Sequence, residues 1–163
     1  VSHSDSSAPS KAPTTLWREP IVPIPAEEIH KLLPHRYPFV LIDKIVELEV
    51  GRAVGIKNVT MNEWYFQGHF PGKPVMPGVL QLEAMAQTAV ILSKYSVDSE
   101  GKILVFAGME EVRFRRLVSP GDVLRIEVVE TLRRKKIGRV QAVATVDGEV
   151  ATEALITYGY IDG

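Results

Sequence analysis

His69 and Glu83 are the two residues of this 163-residue chain best suited to proton chemistry, and only a loop and the start of a helix separate them. His69 opens the run His-Phe-Pro-Gly-Lys-Pro-Val-Met-Pro-Gly, where prolines at 71, 74 and 77 prevent regular structure. Loops held by a rigid scaffold are common seats for catalytic groups. The aromatic neighbours Tyr65, Phe66 and Phe70 would limit water contact and favour a neutral imidazole, which can accept a proton. A purely structural histidine would suit the same surroundings, so His69 alone does not decide.

Glu83 is the sharper anomaly. Leu80, Leu82, Ala84, Met85 and Ala86 leave little room around it for a solvated face. An acid inside an apolar helix costs free energy unless it has a partner or a task. Gln87, one turn further along the same side, can hydrogen-bond the carboxyl. Enclosure favours the protonated form, which a general acid needs. Gly78 lies between the two, at or just before the helix start, where free backbone N–H groups gather partial positive charge. A glycine there lets a carbonyl approach the backbone, and such donors stabilise an oxyanion or enolate. Taken alone, it reads as a turn glycine. His3 and His30 belong to polar segments, and His35 in Pro-His-Arg-Tyr-Pro is better read as a structural hydrogen-bonding residue of a turn.

These residues need elements to position them. Residues 1–23, rich in Ser, Pro and Thr, read as a disordered or weakly ordered tail: a cloning remnant, a native linker or the remainder of a transit peptide. Residues 24–163 form one domain. Pro25 opens a short helix through Leu33, and Pro34 stops it. Strands are predicted at 41–50 and from 52 to about 60, either side of Gly51. From Val79 to about Tyr95 the chain is apolar nearly all round, which marks a buried helix of roughly 24 Å. Four more strands follow, at about 103–116, 122–134, 137–146 and 149–160, with Asp147-Gly148 as a two-residue hairpin turn. The fold class is α+β: a curved antiparallel sheet of about six strands around one long helix.

Composition narrows the chemistry. With no cysteine, disulfides, thiolate metal sites and cysteine nucleophiles are excluded. His69 and Glu83 supply two metal ligands where a site wants three or four, so no metal is expected. No glycine-rich phosphate loop and no Gly-x-Ser-x-Gly elbow is present. A net charge of −1 gives no reason to expect nucleic acid, and no apolar run is long enough to span a membrane. Two basic clusters, Arg113/Arg115/Arg116 and residues 133–136, read as solvated surface or as a docking face for an acidic partner.

The ordered motifs Leu33-Pro-His-Arg-Tyr-Pro-Phe39, Gly68-His-Phe-Pro-Gly-Lys-Pro-Val-Met-Pro-Gly78 and Glu83-Ala-Met-Ala-Gln87 resemble those of the FabZ-type β-hydroxyacyl-acyl carrier protein dehydratases. The similarity continues through Phe106-Ala-Gly and Val112-Arg-Phe-Arg to Pro120-Gly-Asp122, covering about residues 25–160. It implies a hotdog fold and cofactor-free removal of water from (3R)-hydroxyacyl thioesters on acyl carrier protein in type II fatty acid synthesis, giving the trans-2-enoyl product. It also implies a homodimer with active sites at the interface, assembled as a hexameric trimer of dimers. His69 and Glu83 take the catalytic positions, and the Gly78 amide polarises the thioester carbonyl. Phe70, Val79, Gln87 and Phe106 are assigned to substrate binding, and Arg113, Arg115 and Arg116 to carrier-protein docking. Related dehydratase-isomerases carry Asp where this chain has Glu83, which favours dehydration without isomerisation. A cytoplasmic location, or a plastid stroma, fits this reading. The rivals are a hotdog acyl-thioester hydrolase and a non-catalytic acyl-thioester-binding regulator.

Overall fold

The apolar helix is the element that everything else must accommodate. In the computed structural model, which describes residues 17–96 and 101–163, it forms α2, Gly78–Ser96. From Leu80 to Ser93 every residue except Glu83 is buried. Such a helix has no face to give to water and is stable only when wrapped.

The wrapping is a six-stranded sheet, all of whose neighbouring strands are antiparallel. In chain order the strands are β1 (Lys44–Glu49), β2 (Arg52–Asn58), β3 (Lys102–Phe114), β4 (Val123–Arg133), β5 (Ile137–Val146) and β6 (Glu149–Asp162). Their spatial order is β1-β2-β4-β5-β6-β3. Alternation along β4 and β5 sends Leu124, Ile126, Val128, Val140, Ala142 and Ala144 inward. Helix α2 lies against β2, β4, β5 and β6, giving the expected α+β hotdog arrangement. The β5–β6 turn takes the mirror-image form expected of Asp147-Gly148, with φ of 50° and 79°.

Helix α1, Ala26–Leu32, starts after Pro25 and carries Glu27 and Glu28 in its first turn. Leu33 is already extended, as a residue before proline must be. Residues 1–16 of the expected tail lie outside the described residues. Trp17 rests against Tyr95 with ring centroids 6.4 Å apart, and the Arg18 N–H donates to the Tyr95 carbonyl.

The strand expected at 103–116 ends at Phe114 instead. Beyond it, the Val118 carbonyl accepts the Met76 N–H at 2.7 Å, and that bond draws the chain off the β6 ladder toward the loop before α2. The first strand is also shorter than expected. Residues 41–43 precede β1, and the Leu41 N–H goes to the Gln87 side chain. Strand β3 is a sheet edge, paired with β6 on one side only, and it exposes Val105, Phe106 and Met109.

A 3₁₀ helix, Trp64–Gln67, interrupts the loop that leads to His69. A buried ion pair ties it to the sheet: Lys57 Nζ on β2 lies 2.7 Å from Glu63 Oε1, and Glu63 also accepts the Thr60 N–H. Removing one partner of such a pair leaves an enclosed charge without compensation. Lys57→Met is therefore expected to lower the urea-unfolding free energy by about 3 kcal/mol. Adding Glu63→Leu should recover much of that loss; a double variant as unstable as Lys57→Met would show that the stranded carboxylate is not the cause.

Candidate active site

The loop carrying His69 is folded against itself by its own backbone. The His69 N–H donates to Tyr65, the Val75 N–H to His69, and Phe70 and Lys73 exchange bonds at 2.9–3.0 Å. His69 Nδ1 lies 2.6 Å from the Val75 carbonyl oxygen. A carbonyl oxygen can only accept, so Nδ1 carries the hydrogen and a neutral ring keeps its lone pair on Nε2. Phe70 stacks on the imidazole with centroids 4.0 Å apart. Tyr65 is buried beneath, and burial, aided by Glu63 and Asp43, pushes its phenol pKa above the ordinary value. Tyr65 therefore adds no negative charge beside the ring.

Glu83 is the one incompletely buried residue between Leu80 and Ser93, and its side chain is 15 % exposed. Its Oε1 accepts from Gln87 Nε2 at 3.0 Å, the contact that their i,i+4 spacing allows. Gln87, fully buried, also donates to the Phe39 carbonyl at 2.7 Å and accepts the Leu41 N–H at 2.9 Å. This clamp holds residues 33–41 as a strap across α2, and the strap delivers His35. His35 Nε2 lies 3.0 Å from Glu83 Oε1. The sequence reads His35 as a structural hydrogen-bonding residue of a turn; the structure adds that its ring faces the Glu83 carboxyl. Glu83, His35, Phe39, Gln87, Val105 and Phe106 line a cavity of about 330 Å³.

Gly78 is the first residue of α2. The Leu80 and Gln81 N–H groups bond the Pro77 carbonyl, whereas those of Gly78 and Val79 have no acceptor among the described residues. These are the free donors expected at a helix start. Glycine is needed here for a reason the sequence did not reveal: a Cβ would come within 2.6 Å of the Phe114 ring. Gly78 shares a cavity of about 380 Å³ with His69, Phe70, Val79, Phe114 and Arg116. Buried Gln81 steadies this helix start by donating to the Met76 carbonyl and accepting from Thr152 of β6.

The structure thus gathers the predicted residues into two groups. His69, Phe70, Gly78 and Val79 line one cavity; Glu83, Gln87 and Phe106 line another. Within one chain His69 lines the Gly78 cavity and not the 330 Å³ cavity of Glu83. Two of the three arginines are partnered: Arg115 with Glu153 at 2.6 Å, and Arg116 with Glu149 and Asp122 at 3.6 and 3.8 Å. Arg113 donates to the Val112 carbonyl. Among the described residues no three His, Asp or Glu side chains gather as metal ligands would, and no helix is long and apolar enough to cross a membrane.

Comparison with known proteins gives the family and agrees with the fold. Residues 33–155 match the FabA-like domain family. The chain is 55% identical to the 3-hydroxyacyl-(acyl-carrier-protein) dehydratase FabZ of Acetivibrio thermocellus over 136 residues, 83% of this chain and 93% of that one. It is 54% identical to the Bacillus pumilus protein of the same name over 134 residues, 82% and 93% of the two chains. Among solved structures, the dehydratase heterocomplex ApeI:P of Xenorhabdus doucetiae matches with a TM-score of 0.71 at 20% identity, covering 88% of this chain and 93% of that one. A mutant thioesterase of Pseudomonas aeruginosa matches with a TM-score of 0.68 at 12% identity, covering 91% and 100%. At such identities these two share the fold. The chain belongs to the FabA-like family, within its FabZ-type 3-hydroxyacyl-(acyl-carrier-protein) dehydratases.

Proposed function

We propose that this enzyme removes water from (3R)-hydroxyacyl thioesters on acyl carrier protein, giving trans-2-enoyl thioesters for fatty acid synthesis, at a site that two chains build together. The observation that carries the reading is the complementary state of its two proton carriers. Among the described residues His69 has its Nδ1 engaged and its Nε2 free, and Glu83 has its Oε1 engaged and its Oε2 without a partner. One is set to take a proton and the other to give one.

The steps follow from those atoms. The substrate carbonyl oxygen lies at the free amides of Gly78 and Val79, which hold the charge that develops when a proton leaves C2. His69 Nε2 takes that proton. The C2–H electrons form the C2–C3 double bond while the C3–O bond breaks. Glu83 Oε2 gives its proton to the departing oxygen, so that water leaves instead of hydroxide. Phe39, Val105 and Phe106 beside Glu83 offer apolar wall to the acyl chain.

Two features support a shared site. His69 and Glu83 of one chain line different cavities, and the Glu83 cavity is walled by β3, whose outer edge is unpaired. A second copy paired along β3 covers that edge and its exposed Val105, Phe106 and Met109. His69 of one subunit then meets Glu83 of the other. Exposed Trp64, Val79 and Leu117 offer apolar area for joining dimers into a hexamer. Arg113, Arg115 and Arg116 close to the Gly78 end form the docking face for the acidic carrier protein, and the enzyme works where that protein is, in cytoplasm or plastid stroma.

Hydration of crotonoyl-coenzyme A, the reverse reaction, tests the chemistry. His69→Ala and Glu83→Ala are each expected to lower kcat/KM by about 100- to 10,000-fold without a lower melting temperature. A folded variant near the wild-type rate would remove that residue from the mechanism, and thiol release without hydration would identify a hydrolase. When the two inactive variants are unfolded together and refolded as a mixture, random pairing should restore roughly a quarter of wild-type activity. No recovery in verified mixed dimers would place the whole site within one chain. Arg115→Glu/Arg116→Glu should impair a carrier-protein substrate about ten-fold more than the coenzyme A thioester; equal losses would move docking elsewhere.

A further inference from the structure

Glu83 has a second neighbour that the acid–base scheme does not use. The His35 ring comes from the strap, its Nε2 stands 3.0 Å from Glu83 Oε1, and its side chain is only 22 % exposed. Its other nitrogen, Nδ1, is buried with no hydrogen-bond partner among the described residues. That asymmetry bears on where the ring hydrogen sits. A hydrogen on Nδ1 would be a buried donor without an acceptor, a rare and costly state. A lone pair on Nδ1 is less costly to leave unused, and it puts the hydrogen on Nε2, toward the carboxyl. Among the described residues, Glu83 Oε1 thus accepts a hydrogen bond from Gln87 and has His35 Nε2 at 3.0 Å, while Oε2 has neither neighbour.

We propose that His35 is a positioning residue that makes the two oxygens of Glu83 inequivalent. With Gln87 donating to Oε1 and the His35 ring nitrogen 3.0 Å from it, Oε1 is the crowded oxygen, so the acidic hydrogen of Glu83 resides on Oε2. The strap also limits rotation of the carboxyl. His35 is held by the same Gln87 clamp that bonds Glu83, through Phe39 and Leu41. The Arg36 guanidinium closes the turn by donating to the Leu33 and His35 carbonyls. All these contacts lie within one chain, so the acid half of the site is arranged before a partner supplies His69. This assignment rests on the dehydratase reading above, in which Glu83 is the acid.

The test combines kinetics with a readout that needs no turnover. In crotonoyl-coenzyme A hydration His35→Leu should lower kcat by about 30- to 100-fold with KM changed less than about 3-fold. His35→Gln, whose amide N–H can replace the Nε2 donor, should recover to within about 5-fold of wild type. In a Glu83→Gln background the further loss from His35→Leu should shrink to about 2-fold or less, because the carboxyl through which it acts is gone. Nitrogen-15 NMR of the histidine rings, with His35 assigned by its loss in His35→Gln, should show the Nε2–H tautomer, and Glu83→Gln should perturb that ring. A Nδ1–H ring, a His35→Gln rate as low as that of His35→Leu, or full additivity with Glu83→Gln would each overturn the proposal. If His35→Leu does not fold, the His35→Gln rate and the NMR tautomer still decide. A wild type that hydrates no crotonoyl-coenzyme A would sink the dehydratase reading instead, while the NMR arm reports on the contact regardless.

Discussion

A helix with no side for water is the constraint on which this protein is built. Each large aliphatic side chain of α2 that leaves water contributes about 1.5–3 kcal/mol, and together they require a sheet that wraps the helix. Wrapping also decides where chemistry can occur. Beside the edge strand β3 a cavity opens onto this helix, lined by Glu83, which is partly exposed, and by Gln87, which is buried. A polar pair in an otherwise apolar rod is tolerated because Gln87 satisfies backbone groups of the strap as well as the carboxyl. The hydrophobic requirement and the functional one meet in these two residues.

Much of this was legible in the sequence because it follows from local periodicity. The alternation of residues 137–146 determines which side chains of β5 enter the core, and both ends of that strand fall where the pattern places them. The Asp147-Gly148 turn and the extent of α2 were readable for the same reason. What the sequence hid depends on contacts across long separations. Phe114 lies over Gly78 from a strand that starts two dozen residues later, so a glycine that looked like an opening for substrate is equally a seat for a ring. The end of β3 was placed two residues too late; past Phe114 the Arg115 N–H still reaches Ala151 of β6, and Val118 already bonds Met76 in the loop before α2.

His35 was legible only in part. Its motif suggested a turn, and a turn it is, but one that carries a ring onto the carboxyl 48 residues away. A signal was present in the demand side of the count. An enclosed carboxyl has more lone pairs than one glutamine can satisfy, so a second donor from outside the helix was owed. The arginines show the reverse. As a sequence cluster they suggest a free positive face, yet Arg115 and Arg116 sit beside acidic partners, which tempers the field they present. Family membership does not decide such points, because they turn on the neighbours that each side chain finds.

The bond from His69 Nδ1 to the Val75 carbonyl has one more consequence. It is a latch as well as an orienting contact, closing a loop of seven residues through the histidine ring itself. The ring hydrogen stays on Nδ1 only while that carbonyl is in place. Should the loop open, nothing obliges the hydrogen to remain there, and the neutral ring can move it to Nε2, where it blocks proton uptake. Loop shape and proton address are therefore one variable, and a purely mechanical displacement of Val75 would change which ring nitrogen of His69 holds the hydrogen without touching the ring.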